Sequence, residues 1–157
     1  NAAKYGQLDI CKYLVSIGAT YFNRALYNAT GSGHLHICKY LVSLGANNFN
    51  HALYIAADSG QLEICKYFVS LGATHLNIAL SYAATYGHLE LCKYFVSLGA
   101  KELLYNALYN AAGSGQLHIC KYLVSLGVTN FNSVPRNAAR NGHLDVCKYL
   151  ESIKTVK

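Results

Sequence analysis

Six cysteines stand at positions 11, 38, 65, 92, 120 and 147, at intervals of 27, 27, 27, 28 and 27 residues. A fixed interval of this length marks a repeat architecture, in which one supersecondary unit recurs and cannot bury its apolar face alone. At that period the whole chain of 157 residues falls into register. The clearest repeat is Ala52 to Ile78, and the others cover approximately 1–24, 25–51, 79–106, 107–133 and 134–157. The additional residue of the 28-residue interval falls in the stretch Lys101–Asn106. No segment stands outside the pattern, so the sequence reads as one array, 1–157, without an internal domain boundary.

An even number of cysteines in a small chain invites a disulfide framework. The spacing argues against it. Packed helices lie about 8–10 Å apart, beyond the ~7 Å Cα separation that a disulfide tolerates. The cysteines therefore read as a ladder of buried small hydrophobes. Reduced thiols fit a cytoplasmic, reducing compartment.

Each repeat reads as two helices. Asn23, Asn50, Asn77 and Asn132 sit two residues before the Ala or Val that opens the first, and Asn106 one before. Asn at these places predicts an N-cap, its side-chain oxygen taking an orphan backbone N–H. Glycines from Gly6 to Gly142 end this helix, supplying a left-handed turn. In the second helix of the first repeat the polar residues are Asp9, Lys12 and Ser16, which share one stripe. The remaining positions are apolar or Tyr, as a helix flanked by neighbours in a stack requires. Glycines such as Gly18 and Gly72 stop it.

Composition narrows the class. Charged residues make up 13%, half the usual share of about 25%, and one Pro occurs, which excludes a disordered or collagenous chain. No apolar run reaches the ~18 residues of a membrane span, and the start does not read as a signal peptide. There is no Met, even at position 1, and Asn1 aligns with Asn28 inside a first helix. We therefore expect the first repeat to be truncated, with further repeats before residue 1. In the last repeat Pro135, Arg136, Glu151 and Lys154 replace Leu, Tyr, Val and Gly. Polar changes on one face predict a C-terminal capping repeat.

The recurring string Ala-Leu-x-x-Ala-Ala-x-x-Gly-(His/Gln)-Leu-x-Ile-Cys-Lys-Tyr-Leu-Val-Ser-Leu-Gly-Ala resembles the ankyrin repeat. Gly33-His34-Leu35, Gly87-His88-Leu89 and Gly142-His143-Leu144 match its Gly-His-Leu, and Cys takes the place of a core Val. The repeats are shorter than the family's ~33 residues. The missing residues fall where the family has a β-hairpin finger, so we expect an all-α helix–turn–helix solenoid with fingers shortened or absent. Short Tyr- and Asn-rich units of this kind look most like those of large amoeba-infecting DNA viruses.

The resemblance implies that the two residues after each Ala-Ala pair face a concave, protein-binding surface. The partner-binding positions expected there are Lys4, Tyr5, Ser32, Asp58, Ser59, Thr85, Tyr86, Ser114, Arg140 and Asn141. They change freely within a fixed frame, and Tyr and Arg are the commonest anchors of interfaces. The function expected is a non-catalytic scaffold for a protein partner, viral and directed at a host factor if the source resemblance holds. No metal, cofactor or small-molecule substrate is expected. His34-x-His36-x-Cys38 and His118-x-Cys120 hold ligand-type residues without a C-x-x-C or H-x-x-x-H pair, and His34 stands where other repeats carry Gln61 and Gln116. No catalytic motif occurs.

Two alternatives stay open. Low charge and 14 Tyr make a surface suited to self-assembly. A net charge of +6 with a Lys at 12, 39, 66, 93, 121 and 148 raises nucleic acid. Against the latter, Asp9, Glu63, Glu90 and Asp145 precede their Lys by three residues and pair along the helix. The Tyr after each Lys reads as packing between repeats, and Tyr27, Tyr54 and Tyr109 as hydrogen-bonding structural residues of the first helix.

Overall fold

The computed structural model describes residues 1–129 and 132–154, the last by its backbone. The parts of the fifth and sixth repeats at 130–131 and 155–157 lie outside the described residues. All regular elements among those described are helices, so the expected absence of a finger strand stands. The chain divides into two compact units, Asn1–Thr74 and His75–Lys157.

The N-terminal unit opens with turns over 1–6, followed by α1 (Leu8–Ser16), α2 (Phe22–Gly31), α3 (Leu35–Ser43), α4 (Phe49–Asp58) and α5 (Leu62–Ser70). α2 packs on α3, α4 on α5, and α2 on α4. The C-terminal unit holds α6 (Leu76–Thr85), α7 (Leu89–Ser97), α8 (Leu104–Gly113), α9 (Leu117–Ser125), α10 (Val134–Arg140) and α11 (Leu144–Lys154). Its first helices α6, α8 and α10 form one row and its second helices α7, α9 and α11 another, joined in pairs.

The core follows the repeat. In α4, Ala52, Leu53, Ala56 and Ala57 are wholly buried, and Ile64, Cys65 and Phe68 of α5 face them. The alanines let helices approach closely, and the large side chains supply the apolar burial, about 1.5–3 kcal/mol for each Leu or Phe. α1 differs from the other second helices. Ile10, Tyr13 and Leu14 are exposed there, whereas Ile37 and Leu41 at the equivalent places of α3 are buried. Thr30 stands where other repeats carry Ala, fully buried, with its hydroxyl 3.5 Å from the Cys38 sulfur.

Each first helix ends in a Schellman turn. In α2 the His34 N–H returns to the Ala29 carbonyl at 2.9 Å, with Gly33 between them at φ +80°. The following repeat adds a second reason for glycine here. A Cβ on Gly33 would lie 2.9 Å from Gln61 Oε1, and one on Gly6 2.9 Å from the His34 ring. His34 Nε2 donates to the Lys4 carbonyl at 3.0 Å, so the His/Gln position ties one repeat's turn to the next, the structural role expected of it.

The N-cap expectation is corrected. α2, α4 and α6 begin at Phe22, Phe49 and Leu76, which puts Asn23, Asn50 and Asn77 inside them. The caps are Tyr21, Asn48 and His75, and none makes a side-chain capping bond. The apolar first residue docks inward, Phe49 stacking on Phe68 with centroids 6.2 Å apart, and so starts the helix one position before the Asn. Asn106 and Asn132 are likewise not caps: Leu103 and Ser133 hold those places. The amides are used across repeats. Asn23 Oδ1 accepts the N–H groups of Asn47 at 3.0 Å and Asn48 at 3.2 Å, and Asn50 Oδ1 accepts that of Thr74 at 2.8 Å. In the C-terminal unit the additional residue before Leu104 displaces the facing backbone. Asn77 there donates its Nδ2 to Glu102 at 3.3 Å, and its buried Oδ1 has no partner. Tyr105 takes the next position in the series and its hydroxyl meets Ser133 Oγ at 2.6 Å.

Candidate functional site

The positions expected to bind a partner sit at the ends of the first helices and on the turns that follow them. In the N-terminal unit Lys4 and Tyr5 are exposed, Tyr5 at 66%, while Ser32, Asp58 and Ser59 are half-buried. In the C-terminal unit Tyr86 is exposed at 53%, as are Arg140 and Asn141, whereas Thr85 and Ser114 are half-buried. Thr85 and Asn141 are partly spent on their own helix. Thr85 Oγ1 donates to the Ser81 carbonyl at 2.7 Å, and Asn141 Nδ2 to the Asn137 carbonyl at 2.9 Å. The turns are held by their Schellman bonds and by the next repeat's His or Gln, so the tyrosines on them start from a fixed backbone.

A second set of exposed side chains was not expected to bind a partner, although Arg136 among them reads as a mark of the capping repeat. Along α2, Arg24 and Asn28 lie one turn apart and face solvent. His51 is exposed at the equivalent place in α4, with its ring 4.4 Å from that of Tyr27. Tyr27 thus makes a ring contact in the place where a hydrogen-bonding role was expected. In the C-terminal unit Ile78, Tyr82, Asn106, Asn110 and Arg136 are exposed on α6, α8 and α10. A shallow groove on α8 is lined by Tyr105, Asn106, Tyr109 and Asn110. The signal was present: these positions vary from repeat to repeat as freely as the turn residues do, between alanines and leucines that do not.

The second helices offer different chemistry. Lys66 pairs with Glu63 at 2.7 Å and Lys93 with Glu90 at 2.8 Å. Where His replaces the carboxylate, the ammonium turns to the next repeat. Lys39 lies 5.8 Å from the Tyr67 ring centre and Lys121 5.6 Å from that of Tyr149, within cation–π range. Four rungs of the Lys ladder are therefore engaged within the fold. The six Ser hydroxyls of this stripe, Ser16 to Ser152, each donate to the Tyr carbonyl three residues back at 2.6–2.7 Å.

The cysteines are chemically quiet. All six are free thiols; five are buried and Cys147 is half-buried. Burial pushes Cys65, Cys92 and Cys120 up to about 12, far from the thiolate form that reacts. His34 and His36 stand with ring centres 6.0 Å apart, and His118 Nε2 meets the Gly87 carbonyl at 3.1 Å. Among the described residues no three His, Cys, Asp or Glu side chains are grouped so as to hold a metal, and no helix is long and apolar enough to cross a membrane.

Comparison with protein families places residues 1–79 on a model of ankyrin repeats in three copies, and residues 80–124 on a second model of many ankyrin copies. Comparison with curated proteins returns no match.

Proposed function

The chain belongs to the ankyrin-repeat family, and from that premise we propose that it is a non-catalytic scaffold that binds a partner protein through the turns and exposed faces of its first helices. The observation that carries this reading is the exposure of Tyr5 and Tyr86, at 66% and 53%, on turns fixed by backbone bonds and by the neighbouring repeat. A large ring held out on a rigid turn loses little entropy when it is covered, and Tyr is a frequent hot-spot residue. Lys4, Ser32, Asp58 and Ser59 supply polar contacts beside it in the N-terminal unit, and Thr85, Ser114, Arg140 and Asn141 in the C-terminal unit. These surfaces are the concave face in our reading. The free thiols suit a reducing compartment such as cytoplasm. If the likeness to viral repeats extends to origin, the partner is a host protein.

The test is affinity capture from cell lysate with the wild-type chain and with a Tyr5→Ala, Tyr86→Ala, Arg140→Ala variant whose fold is verified by circular dichroism. A protein retained by the wild type and lost by the variant supports the reading. Equal capture by both moves the site elsewhere, and recovery of the chain alone makes it a self-assembling protein.

A further inference from the structure

The first helices of the C-terminal unit differ from one end of their row to the other. α6 presents Ile78, Tyr82 and, just beyond its end, Tyr86, spaced four residues apart and 40%, 41% and 53% exposed. That spacing puts them on one stripe. α10 presents Arg136 and Arg140, again one turn apart and exposed. Between them α8 contributes the groove lined by Tyr105, Asn106, Tyr109 and Asn110. Two bonds fasten α10 to the α8 side: Asn137 Nδ2 donates to the Tyr109 carbonyl at 2.9 Å, and the Tyr105 hydroxyl meets Ser133 Oγ. The arginines are thus held beside the groove.

The charge on this row is one-sided. α6, α8 and α10 contain no Asp or Glu. The unit's carboxylates stand off these three helices: Glu90 pairs with Lys93, Glu102 accepts from Asn77 ahead of α8, and Asp145 and Glu151 lie on α11. Among the described residues no ion pair is formed by Arg136 or Arg140. Arg is the residue that recognises carboxylates with a planar fork of donors.

We propose that this row binds an extended, acidic peptide segment of the partner, with a pair of carboxylates over Arg136 and Arg140 and an apolar side chain over Ile78 and Tyr82. The proposal rests on the scaffold reading and adds the partner's chemistry. Adjacent helices are about 8–10 Å apart, so α6 to α10 spans about 16–20 Å. An extended chain covers that in about five or six residues at ~3.3 Å each. The groove of α8, with its Asn amides and Tyr rings, meets the intervening backbone. Two guanidinium groups at one end suit a carboxylate pair better than a nucleic-acid strand, whose phosphates recur along its whole length.

The experiment is selection from a displayed library of random peptides, roughly twelve residues long to exceed that span. The baits are the full chain, an Arg136→Gln, Arg140→Gln variant and a Tyr82→Ser variant, each verified as folded. The wild type should enrich peptides carrying two acidic residues about five or six positions from a Leu, Ile or Phe. A fluorescent copy of the best peptide should bind the double-Gln variant about tenfold more weakly, a loss that fades at high salt. Tyr82→Ser should weaken binding without changing its salt dependence. Absence of acidic enrichment, or equal binding by the double-Gln variant, overturns the proposal. So does a single-stranded RNA oligonucleotide that displaces the peptide through the two arginines. If the chain captures a folded protein through its turns and still selects no acidic peptide, the scaffold reading survives and this inference alone falls.

Discussion

Asn50 and Thr74 are 24 positions apart in sequence and joined by a bond of 2.8 Å, the Thr74 N–H donating to the Asn50 side-chain oxygen. Asn23 makes the same connection to Asn47 and Asn48. The short loops between repeats in the N-terminal unit are held by this amide, in the place where longer repeats would carry a finger. Asn77 is the exception, because the additional residue before Leu104 leaves its Oδ1 unpaired.

That contrast sets the first prediction. Asn50→Ala should lower stability by about 1 kcal/mol, the usual net worth of such a bond. Asn77→Ala should cost clearly less, since the oxygen it removes is already unsatisfied. Urea denaturation of the two variants beside the wild type measures the difference; equal losses would show that the loop bond contributes nothing.

The glycines of the two turn types should respond differently. Gly45 has φ +99° and open space where a Cβ would be, so Gly45→Ala should cost about 1–2 kcal/mol of left-handed strain. Gly33 has the same strain plus the Gln61 side chain at 2.9 Å. Gly33→Ala should therefore cost more, and a Gln61→Ala background should recover part of the excess. A double-mutant cycle reads that coupling directly.

Much of the fold was legible because the repeat is written out several times. The Cys, Ala-Ala and Gly positions mark buried ladder, helix contact and left-handed turn in most copies, with Thr30, the half-buried Cys147 and Lys154 as the departures. The Asn position was misread because its local context has the form of an N-cap. Its true acceptor role depends on backbone 24 residues away, which no local pattern encodes. The candidate surface was half legible. Lys4, Tyr5 and Tyr86 stand out as variable residues on a turn; Arg24 on α2 and Tyr82, Asn110 and Arg136 on α6, α8 and α10 also vary, but that each faces solvent shows only once helix orientation is known. Thr85 looked equally variable, yet its hydroxyl is spent on Ser81.

The buried thiols make stability fall in alkali. Cys65, Cys92 and Cys120 are raised from 9.0 to about 12 in the fold by desolvation. Between those values the unfolded chain has lost protons that the folded chain keeps, so stability is full below pH 9 and declines as pH rises toward 12. Each thiol contributes at most about 1.4 kcal/mol per pH unit. Thermal melts from pH 8 upward should show this fall, and it should be shallower in Cys65→Ala and Cys92→Ala. An unchanged slope would contradict the burial of these groups.

The central claim is that a protein partner covers the first helices and their turns. It is tested most directly by amide hydrogen exchange of the chain, alone and saturated with the protein it captures. The account predicts slowed exchange around Tyr5 and residues 24–33 in the N-terminal unit, and around 82–87 and 136–141 in the C-terminal unit, with α5 and α7 unchanged. Protection confined to the second helices, along Lys39, Lys66, Lys93 and Lys121, would contradict it.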